Sequence, residues 1–362
     1  MRDSGATNQQ TAVNRRDFVR AAGALAAALT LPGLTQTARA DDRRSDGGRS
    51  DDRRDNSSRV QDFIREVKGA RLFDLSPVWD ENSPIAGVNP SYSMKLNRTH
   101  AQFDATDKDF SDDHTRGTRG QFNDGGQLSF TSEVQHFSGQ HGAPSIDAIG
   151  HIGRNGFLFG HVDAAAATSD LRGIGRSASG VGAHLDVAHY PTDRLVNRGV
   201  LLDVARFIQG GPSPLPADFE ITARHLADTA KAQRVKLERG DTVLIRTGWG
   251  RFFTENPDLY KGDSSPGPSV DGAQFLVKQG ASVVGNDTLT FEKRPPLIFT
   301  PTFQVFPVHM LLIADNGINI IENFFLEELG KAEVYEFLLV VPPLKIRGGT
   351  GSALRSFALV PD

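Results

Sequence analysis

The chain has 362 residues, a formal net charge of −4 and no cysteine. Acidic and basic residues are well mixed, which argues against a nucleic-acid or membrane-surface partner. Without cysteine there are no cross-links and no thiolate chemistry, so stability must come from core burial and any metal site from nitrogen and oxygen ligands.

Residues 1–40 read as a targeting segment. Arg15-Arg16 forms a twin-arginine string, an apolar alanine-rich run spans Ala21 to Leu34, and Ala38-Arg39-Ala40 has the small-x-small pattern of a signal-peptidase site. The expected destination is the periplasm or the medium. Asp41 to Arg59 contains only Asp, Arg, Ser, Gly and Asn, too polar to offset the entropy of ordering, and reads as a disordered charged linker. The rest, 60–362, carries no Pro-, Gly- or Ser-rich divider and reads as one domain.

Val60, Phe63, Ile64 and Val67 have helical spacing, and Arg71 to Leu75 reads as a strand. From Trp79 to Gln135 the periodicity is weak, as in long loops with short strands. Val200 to Val204 is a buried-strand pattern, Thr222 caps a helix running to about Ala232, and Thr242 to Thr247 is a further strand. Ser269 caps a helix that stops at Gly280, and the strand Ala281 to Gly285 follows. His309 to Asn316 reads as a helix with Gly317 at C′, then Ile318 to Ile321 and Tyr335 to Val341 as strands. Strands alternating with helices indicate an α/β fold with a mixed sheet.

The motifs for several chemistries are absent. There is no Gly-x-Ser-x-Gly elbow, no P-loop and no His-Glu-x-x-His. Gly173-Ile-Gly175-Arg-Ser-Ala178 matches a dinucleotide fingerprint in form, but the preceding Ala164 to Ala167 run does not read as a strand. What stands out is His141, Asp147 and His151 within eleven residues. If the segment is extended, all three share a face. Imidazole with carboxylate suits zinc or manganese. A second pair, His309 and Glu322, lies far downstream.

The segment resembles the signature His-x-Gly-Thr-His-x-Asp-x-x-x-His of the cyclase family of metal-dependent hydrolases, which includes kynurenine formamidases and isatin hydrolases. His141, Asp147 and His151 stand in register. Further similarities run through Phe73-Asp74-Leu75-Ser76, Arg198 to Asp203, Gly240 to Trp249, Gly285-Asn-Asp287-Thr288, Pro307 to Asn323, and Gly351 to Arg355. The resemblance implies a swivelling β/β/α domain that hydrolyses a small amide, formamide, cyclic amide or lactone, with a homodimer or homotetramer as the assembly. It implies a divalent metal, zinc or manganese, held by His141, Asp147, His309 and Glu322. It gives His151 the role of proton shuttle, because an imidazole titrates near neutral pH. One position departs from the pattern: the second histidine of the signature is Ser145, a poor metal ligand, so one metal is expected in place of two. A catalytically silent relative that binds a small molecule or a metal is the alternative. Ser145 and Trp79 are candidate substrate contacts, Trp79 for an aromatic body.

Overall fold

In a computed structural model of the chain, the described residues are 51–87, 89, 90, 92–97 and 131–361, with the side chains of 51–55 and His141 outside the description. The twin-arginine and cleavage segments expected over 1–40 lie outside the described residues. So does much of the loop region between Trp79 and Gln135. Among the described residues, no helix is long and apolar enough to cross a membrane.

Two compact units are present, 1–71 with 361–362, and 72–360. The first contains helix α1 (Asp51–Gly69). It reaches back into the segment expected to be a disordered linker. Lys68 in its last turn complements the helix dipole, and Arg65 pairs with Asp62 one turn away. The division at residue 71 also assigns 60–71 to this unit, not to the main body where the sequence had placed them.

The main body is organised by a nine-stranded sheet. Its strands in chain order are β1 (Arg71–Asp74), β2 (Ser145–Asp147), β3 (Val196–Asp203), β4 (Thr242–Arg246), β5 (Val283–Asn286), β6 (Asn319–Glu322), β7 (Glu336–Val340), β8 (Gly351–Ala353) and β9 (Phe357–Val360). Across the sheet they run β1-β9-β7-β3-β4-β5-β6-β2-β8. The pairs β3–β4, β4–β5 and β5–β6 are parallel, whereas β2 runs antiparallel to both β6 and β8. This is the mixed α/β sheet expected from the alternating pattern.

The central strands are apolar on both faces, as parallel strands covered on both sides must be. Val200, Leu202, Val243, Ile245, Val284 and Ile320 pack on one face with Leu226 and Ala230 of α2 (Ala223–Gln233) and Leu276 of α3 (Val270–Gln279). Leu201, Leu244, Val283 and Ile321 pack on the other with Leu326, Leu329, Phe337 and Leu339. The expected caps are in place. Thr222 accepts from the backbone N–H of His225, Ser269 from Gly272, and Gly280 ends α3 in a left-handed conformation. The helix expected from His309 begins at Pro307 as α4 (Pro307–His309) and continues as a π-helix over Met310–Asp315 before Gly317 at φ +63°. The Ala164–Ala167 run is a single helical turn, which removes the strand a dinucleotide fingerprint would need.

Candidate metal centre

Glu322 ends β6, and Asp147 ends the neighbouring β2. Their strands pair antiparallel with Glu322 opposite Ser145. Side chains two apart share a face, so Ser145, Asp147 and Glu322 project to the same side of the sheet. α4 brings His309 against them. Ligand atoms of Asp147, His309 and Glu322 all lie within 4.8 Å of one another, and all three residues are buried. His309 Nε2 is 3.2 Å from Glu322 Oε1 and 3.8 Å from Asp147 Oδ2. Two carboxylates and an imidazole converging in a buried pocket are a donor set that fits a divalent cation.

Glu292 was not foreseen from the sequence. Its Oε1 sits 2.5 Å from His309 Nδ1, and its carboxylate also accepts the backbone N–H groups of Val308 and His309 at 3.2 and 3.0 Å. Glu292 thus caps α4 and orients the imidazole so that Nε2 faces the cluster, the arrangement that typically supports a metal-ligating histidine. Nothing near Glu292 in sequence marks it, because its partner is seventeen residues away.

Burial disfavours a charged imidazole at His309, but the hydrogen bonds to Glu292 and Glu322 outweigh it and raise the pKa to about 10. Burial, reinforced by the Asp147 charge, pushes Glu322 above the usual carboxylate range. A cluster with this much carboxylate charge holds a proton until a cation replaces it.

His151 stands beside the cluster and outside it. Its Nε2 is 3.9 Å from Asp147 Oδ1, and its side chain is 32% exposed where that of Asp147 is 4% exposed. The single extended run from His141 to His151 is not what the chain adopts. The segment is a 3-10 turn over Gly139–His141, the short strand β2, and a turn closed by His151 N–H donating to the Ala148 carbonyl. Pro144 has no N–H for a ladder and the chain turns after Ala148, so alternation does not carry across the segment. On the other side of the ring, Gln140 Nε2 lies 3.4 Å from His151 Nδ1 and 2.6 Å from Thr350 Oγ1. The backbone at His141 leads directly into the loop before β2, but its side chain is outside the described residues.

The remaining candidates divide. Ser145 is 1% exposed and its hydroxyl donates to the Gln140 carbonyl at 2.8 Å. Its hydroxyl is thus tied to the backbone on the sheet face that carries Asp147 and Glu322. Trp79 is half-buried and packs on Tyr92 and Phe137 with ring centroids 4.6 and 5.1 Å away. Its indole N–H has no partner among the described residues. Trp249 is core, with its N–H on the Leu215 carbonyl. Asp287 is structural too. It is fully buried and accepts from Thr247 N and Oγ1 and from Gly248 N at 2.7–2.9 Å. Asp74 holds the turn after β1 through Ser76 N–H and pairs with Arg355.

A second unforeseen pair links the segment after Glu322 to the segment before β2. The Tyr260 hydroxyl donates to Asn323 Oδ1 at 2.9 Å, and Asn323 Nδ2 donates to the Gly142 carbonyl at 3.3 Å. Asn323 directly follows Glu322 in a left-handed conformation, φ +61°. Gly142 directly follows His141.

Comparison with known proteins places the chain in a family. Residues 73–293 match the family described as putative cyclase. That span includes Asp147, His151 and Glu292; His309 and Glu322 lie beyond it. An isatin hydrolase from Roseibium aggregatum is 30% identical over 200 residues, covering 50% of this chain and 71% of that protein. A crystal structure described as a novel cyclase superposes with a TM-score of 0.65 at 26% identity, over 83% of this chain and 92% of the other. Isatin hydrolase A from Labrenzia aggregata, solved with benzyl benzoate, has the same fold at a TM-score of 0.59 and 19% identity, over 84% and 99% of the two chains. With 73–293 matched, more than half its length, the chain belongs to the cyclase family.

Proposed function

We propose that this protein is an exported, metal-dependent hydrolase that opens a small amide, formamide, cyclic amide or lactone with one divalent ion, zinc or manganese. The observation that carries the reading is the buried convergence of Asp147, His309 and Glu322, with His151 poised 3.9 Å from Asp147. Relatives named as isatin hydrolases support the hydrolytic class.

A bound divalent cation would supply a Lewis acid, making water nucleophilic at a pKa of roughly 7 and polarising a carbonyl. Asp147, Glu322 and His309 would hold it, with His141 as the fourth ligand. Glu292 fixes which nitrogen of His309 faces the ion. His151 would carry the proton: its Nε2 faces the cluster, so it can take a proton from the attacking water and return it to the leaving nitrogen or oxygen. Because His151 is more exposed than the ligands, it borders the space a substrate enters. The aromatic group of Trp79, Tyr92 and Phe137 would offer a flat apolar surface to an aromatic substrate. Ser145 in place of the signature's second histidine removes a donor, which favours one ion over two.

Metal analysis of the purified mature protein, followed by turnover of arylformamides and cyclic aryl amides, tests the reading. About one zinc or manganese per chain with metal-dependent turnover is expected. Metal without turnover across the panel would make the protein a silent binder. A mass measurement in solution would show whether it is the expected homodimer or homotetramer.

A further inference from the structure

On the opposite face of the sheet lies a cavity of about 270 Å³. Ile146 and Asn319 line it, and by strand alternation both point away from the Asp147 and Glu322 carboxylates. Asp147 also borders it, and Asn319 holds the Asp147 carbonyl, so the cavity opens on the other side of β2 and β6 from the carboxylates with Asp147 common to both. Its walls are chiefly apolar, but three basic side chains reach it: Arg194, His184 and His189.

Arg194 is the anchor. Among the described residues its guanidinium donates to neutral acceptors, Asn319 Oδ1 at 2.7 Å and the Gly317 carbonyl at 3.4 Å, both through Nη1. Those bonds aim the group while the rest of the fork has no carboxylate to meet. Asp186, a carboxylate in the cavity wall, is already engaged. Asp186 accepts from His189 Nδ1 at 2.6 Å and N–H at 3.1 Å, and from Gly348 N–H at 2.7 Å. That pairing also turns His189 Nε2 outward. An aimed but uncompensated guanidinium in an apolar recess, flanked by two imidazoles, is complementary to a carboxylate on an apolar body.

We propose that this cavity is a second ligand site, binding a small aromatic or otherwise apolar monocarboxylate through Arg194, with His184 and His189 at its rim. The site does not rest on the hydrolase reading. It also touches the metal centre through one side chain. Asn319 accepts from Arg194 with its oxygen and donates with its nitrogen to the Asp147 carbonyl at 2.7 Å. A ligand that draws on Arg194 therefore acts one hydrogen bond away from a strand that carries a metal ligand.

Calorimetric titration of the metal-loaded protein with benzoate tests this, with benzamide as the uncharged control and Arg194→Gln and Glu322→Gln as variants. Saturable benzoate binding is expected in the parent protein and in Glu322→Gln. At least tenfold weaker binding is expected for Arg194→Gln and for benzamide. Because Arg194 also braces Gly317 and Asn319, His184→Gln and His189→Gln serve as milder variants, and the pair should weaken binding severalfold. No benzoate binding, equal binding of benzamide, or unchanged affinity in the Arg194 variant would each overturn the proposal. So would loss of binding in Glu322→Gln alone, which would send the carboxylate to the metal. Should Arg194→Gln fail to fold, unchanged affinity in both histidine variants overturns it.

Discussion

Glu292 and His309 form the shortest contact in the centre, 2.5 Å between Oε1 and Nδ1, and the same carboxylate holds the first N–H groups of α4. One side chain therefore sets both the position of the helix and the direction of the imidazole. Glu292→Gln keeps the size but replaces one accepting oxygen with an NH2 group, a donor that faces the donors Glu292 now satisfies. Metal affinity should fall about 10–100-fold, with turnover at saturating metal less affected. Metal titration followed by competition with a chelator measures it. An unchanged affinity would mean that Glu292 serves the helix alone.

The same pair sets a pH dependence. His309 has a folded pKa of about 10, above the ordinary imidazole value near 6.5. A raised folded pKa means the native state binds the proton more tightly than the unfolded one. The associated stability is fully present below about pH 6.5 and is lost as pH rises through about 10. The metal-free protein should therefore lose stability across that window. Metal requires the neutral imidazole, so its affinity should rise across the same window. Thermal melts with and without chelator, from pH 6 upward, should show the two curves diverging. A metal-induced gain in Tm that shrinks with rising pH would refute this.

The sheet was largely legible in the sequence because its signals are local. β4 and β5 are short apolar runs between turns, and Thr222, Ser269 and Gly280 mark helix ends with their own side chains or backbone freedom. Asp147 could be named because the family signature lists it, and His309 and Glu322 because the resemblance extends to the downstream segment Pro307 to Asn323. Glu292, Asn323 and Tyr260 could not, since each acts across a long sequence separation on a partner that no period or spacing predicts. The expected common face for His141, Asp147 and His151 failed for a related reason. Alternation needs a continuous strand, and β2 is only Ser145–Asp147. α1 went further back than composition suggested, because a count of polar and charged residues does not separate a solvated helix from a linker.

Tyr260 is fully buried, and its hydroxyl is the donor that keeps Asn323 Oδ1 satisfied. Tyr260→Phe leaves that acceptor without its partner in a dry site, at a cost of about 1–3 kcal/mol. Because Asn323 also holds the Gly142 carbonyl, the loop after His141 should loosen. The expected outcome is a lower Tm together with a modest drop in metal affinity. A lower Tm with metal affinity untouched would confine Tyr260 to the core.

His151 separates ligand from proton carrier. Its Nε2 is 3.9 Å from Asp147 Oδ1, outside the group of three that converge, and it is held at the rim by a turn and by Gln140. A residue so placed can be removed without taking a ligand from the ion. His151→Ala should therefore keep metal content close to the parent while turnover falls about 10²–10⁴-fold, the usual worth of a general acid–base group. His309→Ala should instead lose metal and activity together, because the cluster then has no nitrogen donor among its described members. The comparison is made on one preparation of each variant, with metal counted per chain before turnover is measured. Metal loss in His151→Ala equal to that in His309→Ala would make His151 a ligand. Near-normal turnover in His151→Ala would leave the proton to another group, with Asp147, the nearest carboxylate, next to be tested.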